Sequence, residues 1–312
     1  MKCICCGSDQ HKIQYRLKDI SFGEDGEWDF VCCSNCGHGF IGPLPSDEDL
    51  KSFYQHLYTK DKKEEMIKMG KGSFDQGLQK QRAQMLHNHA ETEISKIVDI
   101  GCGMGFSLSK LKKQWPNAEA IGLELSPVAA EEAAKNKDLD VRNMSIWDLS
   151  CENGSVDIIT MNHVVEHLQD PKKELQKVYE LLCDNGLLLI EVPHLTGWGR
   201  SCFGRWWWGH LPPQHLHLFK PQGLVSLLKS LNFECLEMRQ HGYPMTLFFT
   251  LIVFIRSTFG AYSRWHSNLL IRGIGVLLGL VMLPIVLILD LLFTPIMNRI
   301  SGDIVTFVFR KC

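Results

Sequence analysis

The segment that most limits what this chain can fold into runs from Lys96 to Gln114. Lys96-Ile97-Val98-Asp99-Ile100 is a short apolar strand pattern, Gly101-Cys102-Gly103-Met104-Gly105 follows directly, and 106–114 reads as a helix. A glycine turn between strand and helix brings backbone N–H groups close to a ligand at a helix N-terminus. The third glycine comes one position too early for G-x-G-x-x-G, and Asp99 sits in the strand end. A nicotinamide-type fingerprint is therefore not what the turn spells.

The alternation continues downstream. A second strand, 120–123, ends in Glu124, whose carboxylate could accept both hydroxyl hydrogens of a ribose. Ser126-Pro127 is an N-cap and first-turn proline for a helix over 128–135. A third strand near 140–144 leads to Trp147-Asp148, and a fourth, 156–161, delivers Asn162-His163-Val164-Val165-Glu166-His167-Leu168 at its carboxyl end. Asp170-Pro171 caps a helix through Leu182, and Asp184-Asn185-Gly186 turns into a fifth strand, 187–192. A helix from Pro221 to Ser230 and a sixth strand, 233–240, follow. Strands and helices at this spacing specify a doubly wound α/β sheet with ligands at the carboxyl ends of its strands.

Asp99-x-Gly101-x-Gly103-x-Gly105, followed in order by Glu124, Asp148 and the His163–His167 cluster, resembles the class I S-adenosylmethionine-dependent methyltransferases over about residues 94–240. The resemblance implies a Rossmann-like seven-stranded sheet whose last strand is antiparallel. The alternating segment 301–311 resembles that strand. It also implies S-adenosylmethionine as cofactor, with Asp99, Gly101, Cys102, Gly103, Gly105, Glu124, Leu125, Asp148 and Asn162 as binding residues and Asp148 meeting the adenine amino group. The subgroup it resembles carries a zinc ribbon ahead of the methyltransferase domain.

The cysteines agree. Six of the 12 lie within the first 36 residues, and the rest are scattered singly. Cys3-Ile4-Cys5-Cys6-Gly7 and Cys33-Ser34-Asn35-Cys36-Gly37 are two C-x-x-C knuckles 26 residues apart, flanking strand-like pieces at 12–17 and 28–32 and a turn at Gly23 and Gly26. Two such turns supply the tetrahedral Cys₄ set of a structural Zn²⁺ site, here Cys3, Cys6, Cys33 and Cys36, with Cys5 and Cys32 as spare neighbours. The expected order is a zinc ribbon (1–42), a helical linker (43–95) with helices from Ser46 to Leu57 and over 76–96 around a lysine-rich stretch (60–71), the core (96–244), a hydrophobic helical insertion (245–300) and the final strand (301–312).

Methyl transfer to oxygen needs a base, and histidine titrates in the useful range. His163, Glu166 and His167 share one face if helical and resemble the divalent-metal cluster of some O-methyltransferases, although His163 stands where those carry glutamate. The favoured alternative is a structural, cofactor-shaping role. The stretch 193–219, with Trp198, Trp206, Trp207 and Trp208, could line an acceptor pocket or rest on lipid headgroups, and His215 is the chosen acceptor-side base.

The apolar stretches 245–255 and 273–289 have 11 and 17 residues, and Pro284 is expected to interrupt the second. If the final strand rejoins the sheet, the chain must return to the side it left, so a re-entrant or interfacial hairpin fits best. The N-terminus lacks the apolar run of a signal peptide, so the chain is expected to start in the cytoplasm, and the hydrophobic hairpin adds the expectation of association with a membrane's cytoplasmic face. A net charge of −2 argues against a nucleic-acid partner held by bulk electrostatics. The leading function is methylation, at oxygen, of a small molecule or lipid-linked glycan. The rivals are an RNA or protein methyltransferase that grips its target with the ribbon, and a non-catalytic cofactor-binding scaffold at a membrane.

Overall fold

The computed structural model describes residues 2–18, 27–46, 71–243, 245–259 and 269–312, and singly Leu50, Glu64 and Ile67. The turn at Gly23 and Gly26, the body of the helix expected after Ser46 and nearly all of the lysine-rich stretch lie outside the described residues. The strands are β1 (His11–Lys18), β2 (Glu27–Cys33), β3 (Gly39–Gly42), β4 (Lys96–Ile100), β5 (Glu119–Leu123), β6 (Asp140–Arg142), β7 (Val156–Asn162), β8 (Leu182–Pro193), β9 (His217–Leu218), β10 (Phe233–His241) and β11 (Ile304–Lys311). The helices used below are α1 (Ser73–His89), α2 (Phe106–Gln114), α3 (Pro127–Ala133), α4 (Pro171–Leu181), α5 (Trp198–Phe203), α6 (Pro221–Lys229), α7 (Thr246–Phe259) and α8 (Leu269–Ser301).

The chain divides into two compact units. One comprises Lys51–Val192, Val225–Met238 and Thr306–Cys312, the other Met1–Leu50, Pro193–Leu224 and Arg239–Val305. The ribbon, the aromatic stretch and the hydrophobic segment, far apart in sequence, thus share one unit.

The first unit is built on a seven-stranded sheet of order β10-β11-β8-β7-β4-β5-β6, with the last strand antiparallel. β4 pairs in parallel with β5 and β7, β5 with β6, and β7 with β8. Ile97, Val98, Ile158, Ile159, Leu188, Leu189 and Ile190 are fully buried, as strands covered on both faces require. Met85 and Leu86 of α1 and Leu108 and Leu111 of α2 share a core cluster with Ile97, Ile158 and Leu189 of the sheet. Two expectations shift. Helix α1 ends at His89, short of residue 96, because the Ser95 and Lys96 amides both donate to Asp157 at 2.8 Å and commit the chain to β4. The turn at Asp184-Asn185-Gly186 falls inside β8, whose pairing with β7 jumps from Val156↔Leu182 to Ile158↔Leu187, a bulge with Asn185 at φ 62°.

In the second unit, β1-β2-β3-β9 form a four-stranded sheet in which β9, from the aromatic stretch, adds to the ribbon through Gly39↔Leu218 and Phe40↔His217. Leu17, Phe30, Leu195, Trp207 and Leu218 make its core. Helices α7 and α8 run antiparallel: Asp290 of α8 accepts from the Leu247 and Phe248 amides at 2.9 and 2.7 Å, and Ile255 faces Gly279 further along. Those two amides open α7 and lack intrahelical acceptors, so a carboxylate there both caps them and meets the positive end of the helix dipole. Pro284 does not break the helix. Helix α8 runs through Pro284 and Pro295. Proline costs one i→i−4 bond, and the turns on both sides remain hydrogen-bonded and packed on α7.

Helix α8 is inverted relative to an ordinary surface helix. Asp290, Thr294 and Asn298, four residues apart, point inward: Thr294 donates to Asp290 at 2.6 Å and Asn298 accepts from the Trp198 indole at 2.8 Å. The outward face carries Leu277, Leu280, Val281, Ile288, Leu292 and Ile296, each more than half exposed.

Candidate functional site

The glycine turn closes the first unit's sheet at the carboxyl end of β4. The Gly101 and Cys102 amides both donate to the Leu123 carbonyl, tying the turn to β5. Gly101 has φ 67°, and a Cβ there would lie 2.5 Å from Val164 Cγ2. Gly103 is different: with φ 55°, a Cβ would meet nothing within 4 Å. Its backbone faces open space, the cradle a bound nucleotide portion would fill. Glu124 accepts from the Gly103 amide at 2.8 Å and the Ser126 amide at 2.7 Å, one on each oxygen. Each oxygen keeps a second lone pair for a ribose hydroxyl. Cys102 is buried in the turn and Leu125 is exposed beside Glu124. Asp148, at the surface past β6, accepts from the Ser145 hydroxyl at 2.6 Å.

Two buried acceptors at the ends of β4 and β7 make no hydrogen bond among the described residues: Asp99 Oδ2 and Asn162 Oδ1. Asp99 takes the Thr160 hydroxyl on its other oxygen at 2.6 Å. Burial pushes the Asp99 carboxyl up to about 6, against the lowering effects of Thr160 and the Arg82 charge. Orphaned acceptors of this kind call for a cationic donor, and the ammonium of an amino-acid moiety fits both. Of the residues chosen from sequence, Asp99 and Asn162 thus stand at the ends of two neighbouring strands, and Glu124 is tied to the glycine turn through the Gly103 amide.

Beside it lies a charged cluster that sequence reasoning missed. Glu191 on β8 is fully buried and receives Arg82 Nε at 3.0 Å, a second Arg82 nitrogen, and the Thr306 hydroxyl at 2.6 Å. His163, at φ 54°, places Nδ1 3.1 Å from Glu166 and Nε2 3.2 Å from Glu191. Burial alone would lower its pKa, but the two carboxylate hydrogen bonds outweigh that and raise it to about 9. An imidazolium with both N–H groups given to carboxylates has no lone pair. Both His163 nitrogens face carboxylates, an arrangement that suits the structural role over a base or a metal ligand. The stability it contributes is complete below pH 6.5, its unfolded value, and is lost as pH rises through 9. Thermal melting from pH 7 to 10 should therefore fall more steeply in the wild type than in His163→Gln. Parallel slopes would remove the imidazolium from the cluster. His167 belongs to this unit, while His215 belongs to the other.

In the second unit, the Sγ atoms of Cys3, Cys6, Cys33 and Cys36 all lie within 4.8 Å of one another. The pairs Cys3–Cys36 and Cys6–Cys33 are 3.5 and 3.6 Å apart. Four thiolates 2.3 Å from a tetrahedral Zn²⁺ stand about 3.8 Å apart, so the set fits that ion with its shell closed. Each knuckle turns through a glycine at positive φ, Gly7 and Gly37, whose amides donate to the Cys3 and Cys33 carbonyls. His215 is buried and its Nδ1 donates to the Gly209 carbonyl at 2.7 Å, which puts the lone pair of the neutral ring on Nε2. The ring of Tyr15 on β1 lies against His210 and bonds to its Nε2 at 2.9 Å. No sequence signal could pair residues 195 positions apart.

Residues 54–238 match the family model Methyltransf_23, described as a methyltransferase domain. Two uncharacterised proteins of Rickettsia prowazekii are each 32% identical over 121 residues, 36% of this chain. The matches span 22% and 48% of their lengths, so this chain aligns with less than half of either protein. A ubiquinone biosynthesis O-methyltransferase of Actinobacillus pleuropneumoniae is 28% identical over 166 residues, 48% of this chain and 71% of that protein. Among solved structures, a Burkholderia thailandensis 1,6-didemethyltoxoflavin-N1-methyltransferase overlays with a TM-score of 0.52 at 12% identity, covering 89% of this chain and 97% of that one. A Galdieria sulphuraria chain described as a sarcosine dimethylglycine methyltransferase gives 0.51 at 16% identity, covering 84% and 98%. At those identities, the likeness concerns the fold.

Proposed function

The chain belongs to the Methyltransf_23 family of S-adenosylmethionine-dependent methyltransferases, and from that premise we propose that it methylates an oxygen of a small molecule presented at a membrane surface. The observation that carries the donor is the cradle at Gly103 together with the acceptors Asp99 Oδ2 and Asn162 Oδ1, which make no hydrogen bond among the described residues. When bound, the donor supplies an electrophilic methyl group on a sulfonium. The protein's own work is then alignment and removal of the acceptor proton. Asp99 and Asn162 hold the ammonium end, Glu124 the ribose, and Asp148 the adenine amino group. The base that the second unit offers is His215, whose Nδ1 donates to the Gly209 carbonyl. The Cys₄ set carries a structural Zn²⁺, since four thiolates leave no open position. Relatives named as O-methyltransferases, such as the chloroplastic tocopherol enzyme of Arabidopsis thaliana (27% identical over 174 residues, covering 53% of this chain and 45% of that protein), favour an oxygen acceptor.

The membrane surface follows from α8. Gly273–Ser301 is long and apolar enough to cross a bilayer, with 11% of its most apolar window buried in the protein. Yet the preceding β10 and following β11 lie in one sheet, so the chain must leave and return on one side. Helix α7, at 14 residues and about 1.5 Å per residue, reaches about 21 Å, short of a hydrocarbon core of about 30 Å. The hairpin therefore enters one face, which we assign as the cytoplasmic one.

Incubating the purified protein with methyl-labelled S-adenosylmethionine and fractionated cell extract should label one small, membrane-partitioning product. Label in RNA or protein would overturn the acceptor class. The donor site has its own test. Because burial raises the Asp99 carboxyl, its ionised form predominates only above about pH 6. Donor affinity should rise about tenfold from pH 5 to 7, with proton release in calorimetry near pH 6, and Asp99→Asn should flatten both. A flat wild-type profile would separate Asp99 from the donor.

A further inference from the structure

We infer that Thr160 is a positioning residue for the donor: its hydroxyl holds Asp99 ionised and turned so that Oδ2 is left for the donor's ammonium. The inference rests on the donor reading above and adds the residue that prepares that contact. Both residues belong to the first unit, and both are 1% exposed. Asp99 on β4 and Thr160 on β7 are register partners in the parallel pairing, between Val98↔Ile159 and Ile100↔Met161.

The contact starts from the strand's own sequence. β7 sets the Thr160 hydroxyl among the buried side chains of Ile158, Ile159 and Met161. A hydroxyl taken out of water there must find an acceptor. It donates to Asp99 Oδ1 at 2.6 Å, the length of an O–H···O⁻ bond. Because β-branching stiffens χ1, the strand fixes this donor before any ligand arrives. Oδ1 is thereby committed, and Oδ2 makes no hydrogen bond among the described residues. The carboxylate is held in the rotation that a ligand needs, so binding does not have to order it.

The same bond decides the charge. Burial pushes the Asp99 carboxyl up to about 6, and the Glu124 carboxylate beyond β5 adds to the rise. Against them stand first the Thr160 hydrogen bond, then the Arg82 guanidinium of α1 and the Asn162 side chain of β7. The Cys102 thiol of the glycine turn also feels Asp99, but burial raises its own pKa, so it adds no charge. Thr160 is the foremost influence that favours the ion. Without its hydroxyl the carboxyl titrates higher, and affinity that needs the ion is present only at higher pH.

The test titrates full-length protein with S-adenosylhomocysteine, which keeps the ammonium, by calorimetry from about pH 5 to 8.5. In Thr160→Val the midpoint of the affinity profile should rise by at least about one pH unit, so that binding weakens about fivefold at pH 6 and matches the wild type at about pH 8.5. Thr160→Ala should move the midpoint equally despite its smaller volume. Thr160→Ser keeps the hydroxyl and should restore the wild-type profile. 5′-Methylthioadenosine retains ribose and adenine but lacks the ammonium, and its affinity should not vary with pH. A slope with that ligand would assign the titration to Glu124 and overturn the inference. So would a loss of one constant factor at every pH in both hydroxyl-free variants, which would make Thr160 a packing residue. The ¹³C shift of the Asp99 carboxyl in ligand-free protein gives an independent reading, with a midpoint near 6 in the wild type and a higher one in Thr160→Val. A wild-type affinity that ignores pH would sink the donor reading, whereas a carboxyl midpoint unmoved by Thr160→Val would sink this one.

Discussion

Arg82→Ala is expected to destabilise the protein by about 3–5 kcal/mol in urea unfolding, the largest effect of any single substitution outside the ribbon. The reason is Glu191, which is wholly buried and holds its charge between Arg82, His163 and Thr306. Removing the guanidinium leaves a second carboxylate, Glu166, competing for His163 alone. The cost is that of an uncompensated buried charge and not of a lost contact. The double variant Arg82→Met/Glu191→Met should therefore recover much of the stability, because apolar groups of similar volume carry no desolvation penalty. Substitutions at His163 and Arg82 should not add, since both act on the same carboxylate. A loss below about 1 kcal/mol for Arg82→Ala would mean that water or a proton already compensates Glu191.

Loss of zinc should have a greater effect, confined to the second unit. One Zn²⁺ per chain is expected by elemental analysis. Cys33→Ser or Cys36→Ser should reduce it to a small fraction, and Cys5→Ser should leave it intact. Apparent binding free energies of structural zinc sites reach about 10–16 kcal/mol, and that energy is folding energy. The ribbon's Leu17 and Phe30 share a core with Leu195, Trp207 and Leu218. Unfolding should therefore spread beyond the knuckles into the aromatic stretch, with protection from amide exchange lost at Phe40 and Leu218 together, the two strands being paired. Donor binding, housed in the other unit, should persist. Zinc retained in Cys36→Ser, with Cys5→Ser depleting it instead, would shift the ligand register by one.

The glycine turn was legible because its constraint is local. Gly101 and Gly103 need positive φ, and no other residue meets that need as cheaply. The Cys₄ set was legible for a similar reason: each knuckle is four consecutive residues, and only the meeting of two knuckles is non-local. The period-two alternation of 303–309 announced β11, since strand pattern is written in neighbouring side chains. His163 shows the limit. Its sequence neighbours suggested a base or a ligand, but its protonation is set by Glu191 on another strand and Arg82 on a distant helix. The proton follows from spatial electrostatics that no spacing encodes.

The sequence by itself determined the order of strands and helices, the nucleotide-cradling turn and the two thiol knuckles, because dihedral preference, side-chain periodicity and short chelate loops act over a few residues. The tertiary structure alone decided that ribbon, aromatic stretch and hydrophobic hairpin form one unit, that α8 turns its polar groups inward, and that the His163 ring pairs with two buried carboxylates. Those outcomes depend on burial and on charges that meet only after the chain has folded.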